Sequence, residues 1–230
     1  MTKSYSQTRD RIQLYFDQTA VKAWETLTNE TPVSVIRSKV RAGRLEMKNL
    51  LLSRLPDDLT GLSVLDAGCG TGQMAIDLGL RGAEVLGIDI SPNLIDIANR
   101  RLPKKLQSKV KFRVSDMMQN HGAFDYVILM DSLIHYPKDN TLDVLEALML
   151  RTRNRILFTL VPINSFLKIK LSIGRLFPQS DRSPILAPLN TSSFIQMFKE
   201  SSKKDEAFEM KSIGQVNKWF YTSEAIELKR

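Results

Sequence analysis

The chain is predicted to be an α/β protein: a doubly wound, mostly parallel seven-stranded sheet with an N-terminal helical arm and a lid inserted after the fifth strand. Three observations predict it. Short apolar runs alternate with segments of helical period from Ser63 to Val161. The first of these strands ends at Asp66 and enters a turn with glycine at every second position, Gly68, Gly70 and Gly72. A stretch carrying Pro178, Pro184 and Pro188 then interrupts the rhythm before it resumes. One domain is therefore expected, divided into an arm (1–60), a ligand-binding core (61–161), the insertion (162–190) and a closing helix with two strands (191–230).

The elements follow in order. Residues 7–27 read as a helix, with Ile12, Leu14, Tyr15, Phe16 and Trp24 among polar residues. Thr31-Pro32 reads as a second helix start, and over 33–55 Val33, Ile36, Val40, Met47, Leu51 and Leu55 share an apolar face. Beside it Arg37, Arg41, Arg44 and Lys48, spaced four, three and four apart, form a basic stripe, ordinarily a solvated helix face. Pro56 to Gly61 ends the arm. Strands are expected at 63–66, 84–89, 110–114, 124–130 and 155–161, with helices at 72–80, from the Ser91-Pro92 cap to 101, and at 141–150. Such a sheet is covered on both faces and binds ligands beyond the carboxyl ends of its strands. The insertion mixes Phe166, Leu167, Leu171, Leu176 and Phe177 with Lys168, Lys170 and Arg175. That mixture suits a lid over the site or a segment resting on a membrane surface. A helix at 191–199 and strands at 209–216 and 219–222 close the chain.

Composition narrows the classes. Hydrophobic residues make up 43% and charged residues 25%, an ordinary balance for a water-soluble domain. The apolar runs are strand-length and no apolar leader follows Met1, so a cytoplasmic protein is expected, with peripheral contact at the inner membrane as the one addition. Cys69, the single cysteine, excludes an intramolecular disulfide. With only His121 and His135 beside it, no metal centre on the protein is expected. A net charge of +8 suits an anionic partner, or simply a solvated surface. His121 is read as a surface loop residue.

The glycine turn carries the chemistry. Without Cβ atoms the backbone can bend sharply and approach a ligand closely. A dinucleotide is one reading of such a turn. Two details favour S-adenosylmethionine: the spacing is Gly-x-Gly-x-Gly, and the preceding Asp66 suits an ammonium but repels a pyrophosphate. Asp89, closing the second strand, is placed to accept from ribose hydroxyls. Asp116, after the third, is placed to receive the adenine amino group with Met117 beside the ring. Cys69 reads as a small residue that fits the turn, and Ile90 and Met130 complete the cofactor set with the backbone of Gly68 and Gly70.

The acceptor is reached only through a resemblance. Met130-Asp131-Ser132-Leu133-Ile134-His135-Tyr136-Pro137 resembles the end of the fourth strand in magnesium-protoporphyrin IX O-methyltransferases, class I S-adenosylmethionine-dependent enzymes of chlorophyll and bacteriochlorophyll biosynthesis. Tyr15-Phe16 with Trp24, Val40-Arg41-Ala42-Gly43, Ile173-Gly174-Arg175-Leu176-Phe177-Pro178, Ser180-Asp181-Arg182-Ser183-Pro184 and Trp219-Phe220-Tyr221-Thr222-Ser223 are similar to the same family, collinear over nearly the whole chain. One stretch departs: the family's Trp-x-x-Ile-Tyr-Gly is here Trp24-Glu25-Thr26-Leu27-Thr28-Asn29, so no tyrosine role passes to Thr28. The resemblance implies methyl transfer to a porphyrin propionate. It gives His135 an orienting or proton-accepting role, lines the macrocycle with Tyr15, Trp24 and Tyr136, and sets Arg41 or Arg44 against a propionate. It also implies the large porphyrin-holding subunit of magnesium chelatase as a partner. Other small carboxylates or quinone-type acceptors are the nearest alternative. RNA is more distant, since no Asn/Asp-Pro-Pro-Tyr type segment stands at 131–134 and no nucleic-acid module is appended. A cofactor-binding carrier with a degenerate acceptor site is the non-enzymatic alternative.

Overall fold

Ser4 opens the first element. Its hydroxyl accepts from the Gln7 N–H while the Gln7 side chain accepts from the Ser4 N–H, a capping box that starts α1 (Tyr5–Tyr15). The computed structural model describes residues 4–17, 25, 35–163, 186–201, 208–218 and 221–230. The last turn of α1 widens to π geometry at Phe16 and Asp17. The remainder of the helix expected over 7–27, including Trp24, lies outside the described residues.

The other elements are α2 (Val35–Leu52), β1 (Ser63–Ala67), α3 (Gln73–Leu80), β2 (Glu84–Asp89), α4 (Pro92–Arg101), β3 (Val110–Val114) and β4 (Phe124–Leu129). After them come α5 (Lys138–Met149), β5 (Thr152–Leu160), α6 (Thr191–Ser201), β6 (Glu209–Lys218) and β7 (Tyr221–Lys229). The strand order is β3-β2-β1-β4-β5-β7-β6. All neighbours pair in parallel except at β7, which runs antiparallel to both β5 and β6. The chain winds one way from β1 to β3 and the other way from β4, so the switch point lies between β1 and β4.

Alternation along the strands builds two apolar layers. Leu65, Val127 and Phe158 face a core made with Ile12 of α1, Val144, Leu145 and Leu148 of α5, and Phe194 and Phe198 of α6. Val64, Ile128 and Leu157 face the other, made with Met47 and Leu51 of α2 and Met74 and Leu78 of α3. Each such side chain, fully buried, contributes roughly 1.5–3 kcal/mol relative to exposure. Of the apolar face expected on the second helix, Met47, Leu51 and Leu55 are buried. The cap of α4 is as expected, with the Ser91 hydroxyl accepting from Leu94 N–H and Pro92 at the first helical position.

Several boundaries differ from the sequence reading, the second helix ending at Leu52 and β6 at Lys218 among them. The helix expected at 141–150 starts at Lys138, directly after Pro137, and β5 starts at Thr152. β7 extends to Lys229 instead of ending at 222. Its Glu224 and Glu227 hide the strand pattern, and Glu227 is buried because Arg54, Arg155 and Lys211 neutralise it. The middle of the expected lid, 164–185, lies outside the described residues. Its two stems lie side by side: Pro162 bridges Leu189, Leu189 N–H donates to Val161 O at 2.9 Å, and Ala187 N–H donates to Ile134 O at 2.8 Å.

Candidate active site

The carboxyl ends of β1, β2 and β4 surround a cavity of about 330 Å³, large enough for a cofactor-sized ligand. The glycine turn is its floor. Gly68 and Gly72 both have φ of +81°, in the left-handed region that favours glycine. A Cβ on Gly68 would lie 2.4 Å from that of Ser132, and one on Gly72 2.5 Å from the Phe112 ring. The glycines therefore bring two loops together as well as opening the backbone to a ligand.

Asp89 holds this turn in shape. Its carboxylate accepts from the backbone N–H of Gly70 and of Ser91, each at 2.9 Å. Gly68 and Cys69 N–H both donate to Ile88 O. Burial is the largest cause lifting the Asp89 carboxyl, to about 6, against those two donors. Asp66 is buried more completely, at 2% exposure, and its Oδ2 has no hydrogen-bond partner. Burial and then the neighbouring Asp89 push its carboxyl up to about 7. An unpartnered carboxylate oxygen in a cavity wall suits a cationic ligand group, the requirement of an ammonium. Burial raises the Cys69 thiol, so it stays protonated and packs.

The roof comes from α1. Ile12 and Phe16 line the cavity; Tyr15 stands behind them, edge-on to Phe16 at 5.3 Å. Asp116 is turned to the same helix. Its Oδ1 accepts from Tyr5 Oη at 2.5 Å and Met118 N–H at 2.8 Å, and its Oδ2 from Arg9 at 3.1 Å. Ser115 and Met117 line the cavity on either side of it, and Asp116 does not. The carboxylate expected to receive an adenine amino group thus already accepts from Tyr5 and Arg9. Asp17 fastens the end of α1 to the second loop, accepting from the Ser91 hydroxyl at 2.5 Å.

The third wall follows β4. Asp131 leaves that strand at φ +56°, and a short 3₁₀ turn, Leu133–His135, then brings His135 and Tyr136 to the cavity. His135 is 4% exposed and packs edge-on against Phe16 at 5.5 Å. Tyr136 stacks on Tyr5 with ring centroids 5.5 Å apart. Ile90 and Met130 also line the cavity.

Opposite these lies α2. The basic stripe, read by its spacing as a solvated face and by the resemblance as setting Arg41 or Arg44 against a propionate, turns inward: Arg41, Arg44 and Lys48 line the cavity. Lys48 pairs with Asp77 at 2.5 Å and Arg44 with Asp131. Sequence reasoning passed over Ile12, Phe16 and Asp131. A signal for Asp131 existed in kind, since aspartate is among the few residues that tolerate left-handed backbone. The cavity therefore carries carboxylates on one wall and cations on another, with apolar surface between.

A family model described as magnesium-protoporphyrin IX methyltransferase C-terminus matches residues 129–230, and a methyltransferase domain model matches residues 64–153. A magnesium-protoporphyrin O-methyltransferase of Rhodobacter capsulatus is 45% identical over 231 residues, covering all of both chains. The chain belongs to the magnesium-protoporphyrin IX methyltransferase family. A Synechocystis member of this family is 28% identical over 237 residues, again across both full chains. The crystal structure of a magnesium protoporphyrin IX methyltransferase from Synechocystis PCC 6803 with bound SAH superposes with a TM-score of 0.81 at 27% identity, covering 95% of this chain and 98% of that one. Motifs quoted for the family meet here in space: Gly43 lies so close to Tyr221 that a Cβ would sit 2.6 Å from its ring. No described helix of this family member is long and apolar enough to cross a membrane.

Proposed function

We propose that the chain transfers the methyl group of S-adenosylmethionine to a propionate carboxylate of magnesium protoporphyrin IX, giving the monomethyl ester. The observation that carries this is the two-signed cavity in a chain 45% identical to a magnesium-protoporphyrin O-methyltransferase. Asp66 Oδ2 fits the cofactor's ammonium, and Asp89, fixed by Gly70 and Ser91, faces its ribose. Gly68, Cys69 and Gly70 supply backbone surface, and Ile90, Met117 and Met130 supply apolar walls. Asp116 serves by anchoring α1 as the roof.

S-adenosylmethionine, when bound, supplies a sulfonium methyl that a carboxylate oxygen takes as the C–S electron pair stays on sulfur. A propionate with a pKa of about 4–5 is already ionised at pH 7, so the protein needs no strong base. Its task is alignment, holding the oxygen about 3–3.5 Å from the methyl carbon. His135 orients that oxygen by donating a hydrogen bond, or takes up a residual proton. Tyr136 and Phe16 flank the approach, with Tyr15 behind, while Arg41 and Arg44 offset propionate charge. Trp24 lies outside the described residues. The reading extends to receipt of the porphyrin from the large subunit of magnesium chelatase and to peripheral membrane contact. The family resemblance and the net charge of +8 support these.

The test is methyl transfer from labelled S-adenosylmethionine to magnesium protoporphyrin IX, with metal-free protoporphyrin and tRNA as parallel acceptors. A porphyrin monomethyl ester is expected. Cofactor binding without porphyrin esterification would overturn the acceptor assignment.

A further inference from the structure

Asp131 is the one non-glycine residue with positive φ among the described residues, at +56°. Even for aspartate this backbone is uncommon, and such conformations persist where surrounding contacts over-determine them. Here the contacts are specific. Its N–H donates to Thr159 Oγ1 at 2.8 Å, its Oδ1 accepts from Tyr221 Oη at 2.9 Å, and its Oδ2 pairs with Arg44. Residues from β5, β7 and α2 thus converge on one carboxylate that is 6% exposed and lines the cavity.

The node also links the two halves of the site. The next residue, Ser132, donates to Ala67 O at 3.1 Å and packs on Gly68 of the cofactor turn, and His135 follows a single 3₁₀ turn later. On the other side, the close approach of Gly43 to Tyr221 pins α2 to β7 next to Arg44. Arg44 is 18% exposed and lines the same cavity. A guanidinium presents five donors in a fixed plane, so one carboxylate can set its orientation while it receives a second.

We propose that Asp131, braced by Tyr221 and Thr159, is a positioning residue that holds Arg44 on the cavity wall to receive a carboxylate of the porphyrin substrate. This rests on the acceptor reading above and names the residues that recognise the acceptor's charge. Asp131 acts through Arg44, not on the reacting atoms.

The experiment titrates SAH-loaded protein with magnesium protoporphyrin IX and with its dimethyl ester, following porphyrin absorbance. Wild type, Asp131→Asn, Arg44→Gln, the double variant and Tyr221→Phe are compared. Asparagine also tolerates left-handed backbone, so Asp131→Asn removes charge and leaves the turn. Each single charge variant is expected to weaken diacid binding about tenfold, with the double no weaker than the worse single, as for residues acting as one unit. Tyr221→Phe should weaken it about threefold. Dimethyl ester affinity and the Kd for S-adenosylmethionine should stay within twofold of wild type throughout. Unchanged diacid binding in the variants would overturn the assignment, as would equal losses for both porphyrins or additive losses in the double. In those cases the wild type still esterifies the porphyrin and the acceptor reading stands. A wild type that binds no porphyrin would overturn both.

Discussion

Replacing Asp66 by asparagine tests the site at its most costly point. The ligand-free protein holds this carboxyl at about 7 instead of its ordinary 3.8, chiefly through burial and then through Asp89. At 1.36 kcal/mol per unit, that is about 4 kcal/mol disfavouring the charged form in the fold. The sign follows from linkage: a folded-state pKa above the unfolded one means stability is full below about pH 4 and is lost as pH rises through 7. Asp66→Asn removes the charge and can still accept from the Ala75 N–H. In a chain of this size, each kcal/mol moves the midpoint by about 2–4 °C. Ligand-free Asp66→Asn should therefore melt about 5–10 °C above wild type at pH 8, with cavity water relieving part of the charge, and above it by only about a third of that at pH 5. The same change takes away a charge-assisted hydrogen bond worth about 1.5–3 kcal/mol, so the cofactor Kd should rise about 10- to 150-fold. Thermal denaturation at the two pH values and calorimetric titration check this. A variant less stable at pH 8 without ligand, or one that binds S-adenosylmethionine as tightly as wild type, would refute the reasoning.

Four further outcomes are expected. Because the Asp66 carboxyl in the empty site sits at about 7, cofactor binding at pH 6.5 should release ~0.7 proton, read by calorimetry in buffers of different ionisation enthalpy, and affinity should rise from pH 6 to 8. Tyr5→Phe breaks the tie from α1 to Asp116, so S-adenosylmethionine should dissociate about 3–10 times faster in a displacement assay, with the esterification step itself unchanged. Gly68→Ala forces a side chain into left-handed backbone and against Ser132, and should lower stability by about 2–3 kcal/mol in urea denaturation while abolishing cofactor binding. His135→Ala should lower kcat by about 10²-fold with little change in cofactor Kd.

Much of the cofactor half was legible because its signals are local. The glycine spacing, the Ser91-Pro92 cap and the strand from Glu84 to Asp89 each announce themselves within a few residues. The partners of Asp116 were not legible for the opposite reason: Tyr5 and Arg9, which hold its carboxylate, lie more than a hundred positions away. Phe16 lines the cavity one helical step, about 100° of rotation, from Tyr15, and a widened final turn makes that orientation hard to foresee. The inward turn of Arg44 and Lys48 depended on partners, Asp131 and Asp77, that no spacing rule connects to them. β7 was cut short because a buried Glu227 reads as surface until three cations from other elements are seen around it.

The paired stems at Pro162 and Leu189 have a consequence for how such a protein can change over time. Because this bridge already brings the two ends together, a change in the number of residues between them need not move the strands on either side. Doubling the length of a loop closed in this way costs only about 0.6 kcal/mol of chain entropy. The span 164–185 can therefore be lengthened, shortened or exchanged between relatives with the strands left in register. A chimera carrying another relative's span between these stems should therefore fold on this scaffold with its cofactor turn intact.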